Sequence, residues 1–278
     1  MRCLTILTCP VCATGFEQID KTLTCEHGHT FDVAREGYVN LLKKKLSGDT
    51  REMLTARRSF FAHGYYAPLA DALTRLLHAY LPPGQPRILD AGCGEGYYLG
   101  HMLHYLSNQP GYEQSCALGL DVSKDAVKMA AKKYPAASFV VANLKERLSI
   151  ADSSVEAILN VFAPRNMDEF ARILSARGLL LIVIPGSEHL QQLRSVLPLL
   201  QIEEHKQRHV LEQAAAHFHL LTTSGLSYTL QLAREEIAQL VTMTPNYWHL
   251  SDEARQSLET LPEMAITVSF LCLLLQKI

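Results

Sequence analysis

A doubly wound α/β fold, preceded by a small metal-held ribbon, is the architecture that this chain predicts on three observations. Short apolar runs alternate with helical segments from residue 87 onward, three glycines alternate directly after the first of those runs, and cysteines and histidines cluster near the N-terminus. Of the 278 residues 48% are apolar, enough for one large core and a small module. The net charge of −2 places no global demand on a nucleic-acid partner, so such a surface has to come from local clustering. There is no signal-peptide pattern, and the most apolar run, 266–276, is too short to cross a bilayer, which predicts a cytoplasmic protein with no membrane partner. Seven cysteines, an odd count, suit a reducing compartment, where clustered cysteines suggest a metal before disulfides.

The ribbon occupies residues 1–36. Cys9-Pro10-Val11-Cys12 is followed, twelve residues on, by Cys25-Glu26-His27-Gly28-His29, a C-x2-C-x12-C-x3-H spacing. A structural Zn2+ takes four soft or borderline ligands in a tetrahedron; a C-x2-C turn presents two thiolates to one point and the second pair closes it. Cys9, Cys12 and Cys25 are three ligands. His27 and His29 compete for the fourth place, and His29 is preferred because its three-residue offset lets the loop return its ring to the metal. Four protein ligands leave no open position, so the zinc is read as structural. Asp20 and Lys21 supply a turn, Phe31 is placed beneath the metal, and so small a segment depends on the ion to fold. Cys3 is a spare thiol; Cys93, Cys116 and Cys272 are core or turn positions. A ribbon ahead of an enzyme domain points to nucleic-acid recognition, with a structural cap or a dimer surface as the other uses.

Residues 37–68 read as a basic, helical linker. From Arg35 to Arg58, Arg35, Lys43, Lys44, Lys45, Arg51, Arg57 and Arg58 face three acids, Glu36, Asp49 and Glu52. Such a strip neutralises phosphates, or else is a solvated face. Tyr38 and Tyr65 are candidate stacking partners for unpaired bases.

Residues 69–278 form the large domain. Apolar spacing predicts helices at 53–63 and 69–81, the second stopped by Pro82-Pro83-Gly84. Strand 87–90, helix 97–107, strand 117–121, helix 124–133, strands 138–142 and 157–162, helix 167–174 and strand 179–184 follow. The tail is β-rich at 220–232 and 265–276 around a helix-like 234–242, which predicts an antiparallel closing pair at the sheet edge.

The first strand runs into Leu89-Asp90-Ala91-Gly92-Cys93-Gly94-Glu95-Gly96, where the glycines let backbone turn tightly and approach a ligand. Asp121, ending the second strand, is placed to accept hydrogen bonds from ribose hydroxyls. Dinucleotide sites space their glycines as G-x-G-x-x-G, whereas Gly92, Gly94 and Gly96 alternate after Asp90. This favours S-adenosylmethionine over a nicotinamide cofactor and resembles the first motif of class I, Rossmann-like methyltransferases. Gly92, Gly94 and Glu95 are then expected to line the methionine side, with Glu95 or Asp90 near the sulfonium or amino group. Asn143 reads either the adenine or a turn, and Asn160-Val161-Phe162-Ala163-Pro164 is either an acceptor-orienting segment or a plain strand exit.

Several strings, in order, resemble one family, the RlmA-type 23S ribosomal RNA guanine-N1 methyltransferases. They are Cys25-Glu26-His27-Gly28-His29-Thr30-Phe31-Asp32, Gly37-Tyr38-Val39-Asn40-Leu41-Leu42, Gly64-Tyr65-Tyr66-Ala67-Pro68-Leu69, the glycine turn through Tyr98, and Leu120-Asp121-Val122-Ser123-Lys124. Phe162-Ala163-Pro164-Arg165-Asn166, Pro185-Gly186-Ser187-Glu188-His189-Leu190 and Met243-Thr244-Pro245-Asn246-Tyr247-Trp248 complete the set. The resemblance implies zinc at Cys9, Cys12, Cys25 and His29, and cofactor contacts at Tyr66, Gly94, Glu95 and His189. It implies methylation of guanine N1 in a 23S RNA hairpin loop lining the peptide exit tunnel, by a homodimer. Tyr247 and Trp248 are candidates to stack on an extruded guanine. The strings at 159–166, His205-Lys206 and Glu212-Gln213 resemble the tylosin-resistance-type subgroup, while the glycine turn resembles the other subgroup. Asp90, Glu95 and Asp168 are the carboxylates considered for taking the N1 proton, with no catalytic residue assigned. The competing functions are a non-catalytic RNA-binding or ribosome-assembly protein and a small-molecule methyltransferase.

Overall fold

The computed structural model describes residues 3–44, 46–203 and 205–278, so Lys45 of the basic strip lies outside the described residues. Strands β1 (Phe16–Ile19), β2 (Thr22–Cys25) and β3 (Thr30–Asp32) form an antiparallel sheet in that order. Its first turn contains Asp20 at φ 53°, a left-handed position that Asp tolerates better than most residues.

The main sheet has eight strands: β4 (Tyr38–Asn40), β5 (Arg87–Ala91), β6 (Cys116–Asp121), β7 (Ser138–Val141), β8 (Val155–Val161), β9 (Leu174–Pro185), β10 (Phe218–Leu232) and β11 (Met264–Lys277). Their spatial order is β10-β11-β9-β8-β5-β6-β7-β4. All neighbours are parallel except β11, which runs antiparallel to both β9 and β10. The expected closing pair is therefore present. The order reverses between β5 and β6 on one side and β5 and β8 on the other, and that switch point opens a crevice at the strands' carboxyl ends.

Two hydrophobic layers cover the sheet. Along β9, Leu179, Leu181 and Val183 enter one layer while Leu180, Ile182 and Ile184 enter the other, as the two-residue period of a doubly covered strand requires. Helices α1 (Arg51–Ala62), α2 (Ala67–Tyr80), α3 (Tyr97–Leu106), α4 (Lys124–Lys133), α5 (Met167–Ile173), α6 (Gln191–Val196), α7 (Lys206–Ala214), α8 (Arg234–Thr242) and α9 (Asp252–Thr260) surround it. Leu69, Leu73 and Leu77 of α2 recur every four residues and are fully buried. Ser123 caps α4 by accepting from the Ala126 N–H at 3.3 Å. Helices α7 and α9 are polar over most of their length, burying only Val210 and Ala214 in the one and Ala254 and Leu258 in the other.

The ribbon is not suspended on a tether. Cys3, Ile6, Leu7 and Leu23 belong to the same buried cluster as Leu89 and Leu118 of the large sheet. Leu7 bridges to Ile150, and the Thr8 N–H donates to the Ser149 carbonyl at 3.0 Å. Cys3 is not a spare thiol: it is joined to Cys116, their Cα atoms 5.8 Å apart, because the N-terminal turn lies against the start of β6. Residues 37–68 supply β4 at the sheet edge and α1 against α8. Tyr38 is thereby buried in β4, only 6% exposed, which corrects its reading as a stacking partner for bases. Among the described residues no helix is long and apolar enough to cross a membrane.

Candidate functional site

The ribbon brings Cys9, Cys12, Cys25 and His29 together with all ligand atoms within 4.8 Å of one another. The Cys12 and Cys25 sulfurs are 3.5 Å apart, and His29 Nδ1 is 3.2 Å from Cys25 Sγ and 3.7 Å from Cys9 Sγ. A zinc tetrahedron with bonds of about 2.0–2.3 Å has edges of this order, so the donor set fits Zn2+. The Val11 and His29 N–H groups donate to Cys9 Sγ and Cys25 Sγ, which stabilises the thiolates. His27 is exposed and outside the cluster, while His29 reaches it because the turn at Gly28 folds the chain back, with the Gly28 N–H on the Cys25 carbonyl at 2.9 Å.

A cavity of about 1020 Å³ occupies the switch point of the main sheet. Tyr66, Gly92, Gly94, Glu95, Asp121 and His189 all line it, although they come from four separate parts of the chain. At Gly92 φ is +93°, and an added Cβ would lie 2.3 Å from the Ala163 Cβ. No side chain fits there. The Gly92 and Cys93 N–H groups both donate to the Leu120 carbonyl, so the turn is fastened to the end of β6.

Asp121 completes that fastening. Its Oδ2 accepts from the Gly94 N–H at 2.9 Å and its Oδ1 from the Ser123 N–H at 2.8 Å, leaving each oxygen further lone pairs for a ligand. Asp90 and Glu95 are 1% and 3% exposed, and neither carboxyl has a hydrogen-bond partner. Burial raises Asp90 to about 8, with the Asp121 charge adding to the shift. Burial raises Glu95 to about 7 against the opposing pull of Arg57, Lys133 and Arg58. Buried carboxyls without partners beside a glycine cradle suit a ligand that carries positive charge, as the sulfonium and ammonium of S-adenosylmethionine do.

His189 Nδ1 accepts from the Ser269 N–H at 3.2 Å, which assigns the ring proton of the neutral form to Nε2. Burial, helped by Arg194, depresses its pKa to about 4, so it is a neutral donor near pH 7. Tyr66 is buried edge-on against Phe60 and Phe270, 5.3 and 5.1 Å between ring centroids. Asn143 also lines the cavity, but its amide is engaged in a turn, accepting from Lys145 N–H and donating to Glu146.

Other expected residues fall elsewhere. Asp168 is 91% exposed and pairs with His217 Nε2 at 2.8 Å, away from the cavity, because it points outward from the first turn of α5. Asp90 sits behind the glycine turn rather than on the cavity wall, so Glu95 is the one of the three carboxylates that lines it. Tyr247 is turned to Glu52, at 2.6 Å, and packs under Arg255, whereas Trp248 lines the cavity and is 56% exposed. Tyr65 donates to Glu236 Oε1 and stacks on His63. Arg57, a member of the basic strip, is drawn into the cavity wall, where it binds Asp49 at 2.7 Å and the Met243 carbonyl at 2.8 Å. Neither Arg57 nor Arg165, another wall residue, stands out from the sequence by spacing, since both depend on contacts between remote segments.

The RlmA N-terminal zinc-ribbon model matches residues 7–46, and a general methyltransferase-domain model matches residues 88–178. A 23S rRNA (guanine(748)-N(1))-methyltransferase of Streptomyces fradiae is 40% identical over 271 residues, covering 95% of each chain. The Bacillus subtilis protein YxjB, named as a candidate 23S rRNA (guanine-N(1)-)-methyltransferase, is 31% identical, covering 94% of this chain and 93% of its own. The solved structure of MccD protein shares the fold at a TM-score of 0.51 and 14% identity, covering 76% of this chain and 98% of that one. With the zinc ribbon, the class I methyltransferase sheet and this near full-length identity together, the chain belongs to the RlmA-type family of S-adenosylmethionine-dependent 23S rRNA (guanine-N1)-methyltransferases.

Proposed function

We propose that this protein methylates N1 of a guanine in a hairpin loop of 23S rRNA near the peptide exit tunnel, as a member of the tylosin-resistance-type subgroup. The observation that carries this reading is the glycine-cradled cavity with its unpaired buried carboxyls, in a chain 40% identical to the Streptomyces fradiae enzyme along 95% of its length. S-adenosylmethionine, when bound, supplies an already activated methyl group. Gly92 and Gly94 admit its backbone-proximal part, Asp121 holds the ribose, and Glu95 supplies negative charge beside the cationic end. Tyr66 and the Nε2–H of His189 complete the wall. Alignment and exclusion of water by these groups are the main demands of an in-line transfer.

The zinc at Cys9, Cys12, Cys25 and His29 is structural. Residues 1–36 with the exposed Arg35, Lys43 and Lys44 form the RNA-recognising part, residues 37–68 join it to the catalytic part, and 69–278 carry the chemistry. A homodimer acting on rRNA in the cytoplasm, with a contribution to macrolide resistance, follows from the same reading. The deciding experiment is mass spectrometry of 23S rRNA from a deletion strain, before and after complementation. N1-methylguanine at one hairpin-loop position is expected to vanish and return; an unchanged content rejects the function. Loss of the mark only when the fold is removed, but not when Asp121→Ala abolishes cofactor binding, favours an assembly role instead.

A further inference from the structure

The exit of β8 carries features that no role above uses. Asn160 is fully buried, and its Nδ2 donates to the Ala91 carbonyl at 3.1 Å and the Pro164 carbonyl at 3.0 Å. This clamp fixes residues 160–164 to the end of β5, and Ala163 fills the space that a side chain on Gly92 would need. The strand exit is therefore held against the first glycine of the cofactor cradle.

On that clamped segment Phe162 has φ +54°, in the left-handed region that a bulky residue seldom adopts. The residue is nonetheless 44% exposed and lines the cavity, its ring centroid 5.7 Å from that of Phe270. A glycine would suit the backbone better, and the side chain buries too little to account for its presence. An aromatic kept at a strained, half-exposed position in a cavity wall is suited to a planar ligand.

Arg165 follows three residues later and lines the same cavity. Its Nε is buried without a hydrogen-bond partner, and among the described residues it forms no ion pair. The nearest acidic influence on it, Glu203, is paired with His209. A partly buried guanidinium whose Nε is left unpaired calls for a planar pair of acceptors.

Resting on the functional reading above, we propose that Phe162 and Arg165 form the guanine subsite: Phe162 stacks on the extruded base and Arg165 donates to its O6 and N7. Arginine meets these two acceptors of guanine bidentately. The same contact serves the chemistry, since O6 is conjugated with N1. When the N1–H bond breaks and its proton passes to solvent, the negative charge spreads onto O6, where the guanidinium stabilises it. The N1 lone pair then forms the N–CH3 bond, the S–CH3 bond breaks, and its electron pair stays on sulfur. Arg165 thus selects guanine and raises the acidity of its N1–H.

The test is a cycle between Arg165→Met and replacement of the target guanine by 7-deazaguanine in a synthetic 23S hairpin. Wild-type protein that does not methylate N1 of the unmodified hairpin overturns the functional reading itself. Given that activity, 7-deazaguanine is expected to lower kcat/KM by about tenfold to hundredfold in wild type and by less than about threefold in Arg165→Met. The variant's rate is also expected to climb with pH toward the N1 ionisation of free guanine, by a steeper rise than in wild type. Two penalties that simply multiply overturn the proposal. So does a tenfold loss of S-adenosylmethionine affinity in Arg165→Met by calorimetry, which would make Arg165 a ligand of the cofactor carboxylate. Phe162→Gly, which relieves the strained backbone, is expected to keep cofactor affinity and thermal stability while raising the KM for the hairpin by about tenfold. An unchanged KM removes Phe162 from the subsite.

Discussion

The metal cluster of the ribbon and the cavity of the main sheet are built on opposite plans. The four candidate zinc ligands lie between Cys9 and His29, and local turns alone direct them to one point. The cavity draws residues from Leu46 to Trp248, and each is brought there by a different strand exit or loop. A site assembled locally has little core of its own and depends on its ion. A site assembled from remote segments rests on a continuous sheet whose layers hold it in shape without a ligand. The ribbon complicates this contrast through Cys3, Ile6, Leu7 and Leu23, which are packed into the large core, and through the Cys3–Cys116 bond.

The sharpest way to probe the contrast is to remove the metal. Cys12→Ser is expected to abolish stoichiometric zinc by elemental analysis and to melt the ribbon, since a structural zinc contributes on the order of 10 kcal/mol to such a segment. Calorimetric affinity for S-adenosylmethionine is expected to stay within about threefold of wild type, because no ligand of the zinc lines the cavity. Retained zinc contradicts the ligand assignment, and a joint collapse of both sites shows that the shared core makes them one cooperative unit.

A smaller effect is expected from Gly92→Ala. Its Cβ would meet Ala163 at 2.3 Å from a backbone with φ +93°, so cofactor binding is expected to fall below detection and stability to drop by roughly 2–4 kcal/mol. Zinc content is expected to be unchanged. Normal cofactor binding by this variant would mean that the turn can move, and that the cavity is less rigidly supported than the contacts of Asn160 and Leu120 suggest.

The smallest effect is in pH dependence. Asp90 and Glu95 have folded pKa values raised by burial to about 8 and about 7, whereas in the unfolded chain such groups ionise near 4. The unfolded state thus loses its protons first as pH rises, and the stability these groups contribute at low pH is lost between about 4 and 8. The ligand-free protein is expected to melt several degrees lower at pH 8 than at pH 5 by calorimetry, with Asp90→Asn flattening the slope. The ribbon runs the other way, since acid protonates thiolates and weakens zinc binding. A melting point that rises steadily from pH 5 to 8 would show the carboxyls to be better satisfied than their unpartnered oxygens indicate.

Much of this was readable from residue order. The C-x2-C spacing, the alternating glycines and the acid ending the second strand each encode a local geometry, so Cys9, Gly92 and Asp121 could be placed before any fold was known. The α/β alternation predicted the parallel strands, because strands covered on both faces are continuous apolar runs. Strand β4 is not legible since three residues carry no measurable period, nor are α7 and α9, each of which buries only two apolar residues. Asp168 and Tyr247 had suitable chemistry and suitable chain positions, yet both side chains turn to other partners.

Residue order by itself thus determined the cysteine–histidine cluster, the glycine turn and the strand alternation, all of which follow from chemistry within a few residues. Only the tertiary structure decided that Cys3 meets Cys116, that Arg57 leaves the basic strip for the cavity wall, and that Phe162 and Arg165 line the same cavity. Those outcomes depend on which distant segments pack together, and a side chain's role is then set by neighbours that its local sequence does not contain.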